Sequence, residues 1–186
     1  MKKLFLIASL LTAISCTHQN QKVTFDLSFK NESSNIGRAI GIDVAVFDDR
    51  TDKEFLGRKR FGDEKIVITS DQDLVSLLQK KIGSNLLQKG FLKGKNKSVE
   101  IRIETLEYMA KRNFFIGTSN GKANFKVIVI NNKTKEKFSK NFALAVNGKH
   151  FIVPLESTDS NILNALVQEI VDDILKDESF LNNLSQ

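Results

Sequence analysis

The sequence holds a single cysteine, a single proline and only two histidines in 186 residues. One cysteine closes no intrachain disulfide and builds no zinc-thiolate cluster. His18 and His150 have no neighbouring carboxylate or second histidine at metal-ligand spacing, so neither a metal nor a cofactor is expected. His150 follows Gly148-Lys149 and reads as an exposed turn residue rather than a general base. Long hydrophobic runs are missing too. A transmembrane helix needs roughly 20 apolar residues, whereas the apolar stretch near the N-terminus extends only from Leu4 to Ile14. There is no internal repeat and no low-complexity tract.

What that N-terminal stretch does contain is a pattern. Lys2 and Lys3 precede the apolar run, and Ser15-Cys16 ends it, followed by polar Thr17 to Lys22. This is the basic and apolar sequence of a secretory signal. Ala13-Ile14-Ser15-Cys16 resembles the lipobox of bacterial lipoproteins. A thiolate is the side chain best suited to take a diacylglycerol as a thioether. Cleavage before Cys16 then frees an amino group for further acylation, and several acyl chains anchor a protein far more firmly than one. The expected organisation is a signal peptide over 1–15, a lipidated Cys16 with a flexible tether over 16–21, and one periplasmic domain over 22–186. Thr17, standing where an aspartate signals inner-membrane retention in enteric bacteria, points to the outer membrane, facing the periplasm.

The formal charge of +6 falls to +4 once Lys2 and Lys3 leave with the signal. The surplus gathers at Arg58-Lys59-Arg60, Lys89 to Lys97, Lys111-Arg112 and Lys133 to Lys137. Without interleaved aromatic residues these clusters do not suggest nucleic acid. They read as solvated loops in preference to contacts with anionic lipid, lipopolysaccharide or cell-wall polymer.

Beyond the tether, apolar residues recur with period two over Val23 to Phe29, Ile40 to Val46, Ile66 to Ile68, Val99 to Ile103, Phe125 to Val129 and Phe142 to Val146, the mark of half-buried strands. Asn131 to Lys135 reads as a hairpin turn, and Asn31 to Asn35 as a loop. Between 71 and 89 the period changes: Leu74, Leu77, Leu78, Ile82 and Leu86 make a helical stripe, with Ser70 as the expected N-cap and Gly90 as the terminating glycine. Gly83 inside that helix costs about 1 kcal/mol relative to Ala, which suggests close packing against a strand or a kink. Ile162, Leu166, Ile170 and Ile174 mark a second helix. These elements predict an α+β fold: a two-layer sandwich of a mostly antiparallel sheet with two amphipathic helices on one face.

Asp48-Asp49-Arg50 ends an apolar strand and opens a charged connection. Asp48 and Arg50 share a side of an extended chain, so they either pair to fix the strand exit or meet a partner. With Arg58 and Arg60 they make up the candidate partner-binding residues, placed on a connection over Asp48 to Gly62. The acidic pair Asp71 and Asp73 suits a helix N-terminus, and Asp172-Asp173 a solvated helix face.

The run Ile42 to Asp52, then Gly57, the helix with Leu74, Leu77 and Leu78 ending in Lys89-Gly90-Phe91, and Leu106-Glu107-Tyr108 resemble the YajG-like family of bacterial lipoproteins over nearly the whole chain. That family is uncharacterised, so the resemblance implies an envelope address and a fold. The expected function is a non-catalytic binding or accessory module for an envelope protein or polymer. Two alternatives remain: a structural subunit of an export, motility or cell-wall complex, and a hydrolase whose site is hidden in linear sequence.

Overall fold

The computed structural model describes residues 20–29, 34–62, 64–113, 116–150 and 156–186. Among these residues, eight strands and three helices follow in the order β1 Asn20–Val23, β2 Gly41–Asp48, β3 Phe55–Phe61, β4 Glu64–Ser70, α1 Leu74–Gln88, β5 Leu92–Lys93, β6 Lys97–Asn113, β7 Ile116–Asn131, β8 Lys137–His150, α2 Glu156–Lys176 and α3 Glu178–Ser185. The expected flat two-layer sandwich with two helices is overturned. The sheet curls through 259° into a half-barrel, and a third helix follows α2.

The cause of the curl lies in strand length and in two irregularities. β6, β7 and β8 form a meander of 17, 16 and 14 residues. Right-handed twist accumulates over such long pairs. Register shifts at Phe55/Gly57 in β3 and at Ile103/Thr105 in β6 add bends, as bulges do. One edge of β6 carries the whole of β7. The other is shared: β2 pairs with Ile103 and the residues before it, and β3 with Tyr108 to Arg112, both parallel to β6. Beyond β3 the sheet continues through antiparallel β4 to parallel β1, and beyond β2 it ends at the two-residue β5.

The helices fill the hollow of the half-barrel. Leu163, Leu166, Val167, Ile170, Val171 and Ile174 of α2 are buried together with Ile101, Ile103, Leu106, Phe125 and Val127 of the sheet. Gly121 allows the closest approach, since a Cβ there would lie 2.5 Å from the Leu166 side chain. Asp177 alone separates α3 from α2 and caps it, accepting from the Phe180 amide, while Phe180, Leu181 and Leu184 join the core. Burial pushes the Asp177 carboxyl up, but hydrogen bonds from Lys140, Ser179 and the Phe180 amide outweigh it and hold the carboxyl below its ordinary value.

The cap of α1 also differs from expectation. Asp73 is the N-cap, accepting from the Ser76 amide, and Ser70 instead braces a turn with Gln72. Gly90 does end the helix, at φ +89 just after the cap residue Lys89. The period-two stretch from Val23 to Phe29 is only partly a strand. Sheet pairing covers Asn20 to Val23 and so reaches back into the segment assigned to the tether. From Thr24 onward, side chains take over the backbone's hydrogen bonds. The amides of Phe25, Asp26 and Ser28 donate to Gln72, Asn164 and Gln168, and the Leu27 carbonyl accepts from Lys81. Phe25 and Leu27 are thereby buried without a neighbouring strand.

Candidate functional site

The four candidate residues divide into two kinds. Asp48 and Arg50 meet at the gap where β2 has left the edge of β6 and β3 has not yet joined it. The Arg50 guanidinium forks onto Asp48, with Nε to Oδ1 at 2.9 Å and Nη2 to Oδ2 at 2.7 Å. It also donates to the carbonyls of Phe55 at 3.0 Å and Lys53 at 2.7 Å. Both side chains are 7% exposed. A planar five-donor group is well suited to closing such a gap, because one side chain satisfies a carboxylate and several carbonyls together. Arg58 and Arg60 are different. The expected loop over Asp48 to Gly62 contains β3, and both arginines project from its solvent side, Arg58 lying over the Phe55 ring at 5.3 Å. Asp49, between the first two, pairs with Arg102, whose guanidinium also covers Phe47. Hydrogen bonds that it donates to Glu100 and then to Asp49 push the Arg102 guanidinium above its ordinary value.

A buried polar cluster lies on the inner side of the same strand. Lys59, between the two outward arginines, points into the core and forms an ion pair with Asp159 in the first turn of α2; the two side chains are 4% and 0% exposed. The Tyr108 hydroxyl donates to the other Asp159 oxygen at 2.6 Å. Burial pushes the Tyr108 phenol up to about 12, against a hydrogen bond with Ser119 that lowers it. Sequence reasoning missed this trio. The available signal was alternation, since a lysine flanked by two outward arginines on a strand must face inward.

Gly83 does not mark close packing. A Cβ built on it meets nothing within 4 Å. It lines a groove of about 760 Å³ between α1 and β2, together with Val44, Leu87, the lysines Lys80, Lys93 and Lys95, and one carboxylate, Asp43. The groove follows an open sheet edge. β5 pairs only with Gly41 and Ile42, so among the described residues no strand covers the outer edge of β2 from Asp43 to Asp48. Because the Ile42 carbonyl accepts on the β5 side and the Asp49 amide donates to β6, alternation turns the main-chain groups of Val44 and Val46 toward the open edge. Neither Gly83 nor the lysines of β5 and its turn stood out in the sequence as a site.

Cys16 and His18 lie outside the described residues, as does the side chain of His150, whose backbone ends β8 instead of forming a turn. Among the described residues, no three His, Cys, Asp or Glu side chains gather where they could hold a metal ion, and no helix is long and apolar enough to cross a membrane.

A family described as an uncharacterized lipoprotein matches residues 28–185. No curated protein matches the sequence. Among solved structures, the protein XCC0632 from Xanthomonas campestris superposes with a TM-score of 0.52 at 11% identity, covering 84% of this chain and 95% of that one. A putative neuraminyllactose-binding hemagglutinin homolog from Helicobacter pylori gives 0.38 at 9% identity, over 87% and 97% of the two chains. A minor lipoprotein from Acinetobacter baumannii gives 0.31 at 8%, over 76% and 90%. The first of these likenesses is one of fold alone, and the other two carry no argument.

Proposed function

The chain belongs to a family of uncharacterized lipoproteins, and on that premise we propose that it is a YajG-like, Cys16-anchored, non-catalytic binding module of the outer membrane, facing the periplasm. Its partner is another envelope protein, which it holds by an extended segment. The observation that carries this reading is the open edge of β2 beside a groove floored by Gly83. An extended peptide laid along that edge gains main-chain hydrogen bonds from β2, while its alternate side chains enter the groove; strand addition works in this way. Lys80, Lys93 and Lys95 against the single carboxylate of Asp43 leave the groove positive on balance and favour a segment with acidic residues. Gly83 supports the reading energetically. A helical glycine costs about 1 kcal/mol relative to alanine, and here no packing gain offsets that cost.

Two substitutions separate groove from scaffold. Gly83→Ala is expected to stabilise the domain by about 1 kcal/mol, since nothing obstructs the added methyl. Gly83→Leu keeps the helix and fills the groove, so capture of the partner by in-cell crosslinking should fall at least about tenfold, the equivalent of about 1.4 kcal/mol. Undiminished protein capture by a folded Gly83→Leu variant, or crosslinks only to cell-wall polymer or lipopolysaccharide, would contradict the proposal.

A further inference from the structure

Two of the basic clusters that looked like separate loops in the sequence, Arg58 to Arg60 and Lys111-Arg112, meet in one row of the sheet with Lys65 and Lys149. Register aligns Lys65 of β4 with Arg60 of β3, Arg60 with Lys111 of β6, Lys111 with Thr118 of β7, and Thr118 with Lys149 of β8. All five are exposed. They project to the outside of the half-barrel, because the intervening Lys59, Ala110 and Ser119 are buried. The four cations come from four different strands, and none of them has an ion-pair partner among the described residues. Beyond the row, toward the end of the β6–β7 hairpin, Ile116 is 52% exposed on the same side.

The position of this row relative to the anchor is fixed by chain length. β1 begins at Asn20, which pairs with Val67, two residues from Lys65 on β4. Only Thr17, His18 and Gln19 separate Asn20 from Cys16. Four residue steps span at most ~14 Å whatever their conformation. The row of Asn20 continues through Val67, Arg58 and Met109 to Asn120, so the opposite end of β7, where Lys133, Lys135 and Lys137 cluster, is ~36 Å further along the strand at its usual rise. Exposed charges act over only about 8 Å at physiological ionic strength, so the two basic ends are not equivalent: the membrane surface is within reach of one of them.

We infer that the outward row Lys65, Arg60, Lys111 and Lys149 seats this end of the sheet on the anionic phospholipid headgroups of the bilayer that holds the chain's own lipid. The inference rests on the anchored reading of Cys16. The lipid confines the domain to the surface, and the cations choose its orientation. That orientation carries the β2 edge and its groove on a domain held at a fixed attitude to the membrane. Each cation close to an anionic surface contributes a factor of about 5 to the preference.

The test uses the full acylated protein in vesicles containing headgroup-nitroxide lipids. With Cys16 consumed by lipidation, an introduced cysteine is the only free thiol, so a fluorophore can be placed at Thr118→Cys or, at the far end, at Lys133→Cys. In vesicles containing phosphatidylglycerol, the Thr118 probe should be quenched and the Lys133 probe spared. Each neutralisation, such as Lys111→Gln or Lys149→Gln, should lower the seated-to-free ratio about fivefold. Reversing all four cations to glutamate, or using phosphatidylcholine alone, should reduce quenching at Thr118 to the Lys133 level while the protein still floats with the vesicles. Equal quenching at the two positions, or quenching at Thr118 that survives charge reversal, overturns the seating alone. A protein that fails to float with either lipid, like its Cys16→Ser variant, overturns the anchored reading and the seating with it.

Discussion

Replacing Asp159 by alanine is expected to remove about 3–5 kcal/mol of stability, as when one member of a buried ion pair is deleted. The variant leaves the Lys59 ammonium, 4% exposed, without its carboxylate, and deprives the Tyr108 hydroxyl of its acceptor. Lys59 lies on the inner side of β3, between β4 and β6, facing the first turn of α2. Urea unfolding should show a lower midpoint at unchanged slope, which is the sign of lost stability without a change in the surface exposed. The double replacement Lys59→Met with Asp159→Leu should recover most of the loss, because removing both charges also removes their desolvation cost. Tyr108→Phe should cost less, about 1–2 kcal/mol, one hydrogen bond to a charged group. An Asp159→Ala variant within about 0.5 kcal/mol of the parent would mean that water or another group compensates Lys59.

The second large effect is expected at Arg50. Its guanidinium joins Asp48 to the carbonyls of Lys53 and Phe55, and a weaker contact at 3.5 Å reaches the Leu106 carbonyl. Arg50→Ala takes the guanidinium from at least two carbonyls and from the buried Asp48 carboxylate, which keeps only the backbone amide of residue 50 as a donor, a loss of about 2–4 kcal/mol. For a domain of this size that corresponds to a fall in Tm of roughly 5–15 °C, measurable by calorimetry. Arg50→Lys should restore little, because a single ammonium cannot reproduce the fork. If Arg50→Ala instead melts like the parent, this side chain does not hold the junction of β2 and β3, and a role in partner contact gains weight.

The difference between these two sites explains how far the sequence could be read. Asp48 and Arg50 are two residues apart, so their pairing was visible as one of two alternatives. Asp159 and Lys59 are a hundred positions apart and on different kinds of element, and no local pattern joins them. β3 escaped notice for a related reason: Arg58-Lys59-Arg60 carries charge on both faces, which erases the apolar alternation that revealed β2, β6, β7 and β8. α1 and α2 were legible from their stripes. α3 was not, since eight residues separated from α2 by Asp177 alone continue the same periodicity to the eye. Curvature had no sequence signal of its own, because period two reports which face is buried and is silent on how far the sheet bends. The groove was half legible: Gly83 stood out as an oddity in a helix, but only the fold shows that the space beside it is open.

An extended protein segment held along β2 would lie against position 87, where a photo-crosslinking amino acid can be placed in the full-length protein in living cells. Leu87 lines the groove and is partly exposed, so the probe faces the proposed ligand without displacing core. One discrete adduct is expected, its mass spectrum mapping to a short continuous stretch of a single envelope protein, and it should be lost in the Gly83→Leu background. No adduct at position 87, or adducts scattered over many unrelated proteins, would contradict this mode of binding.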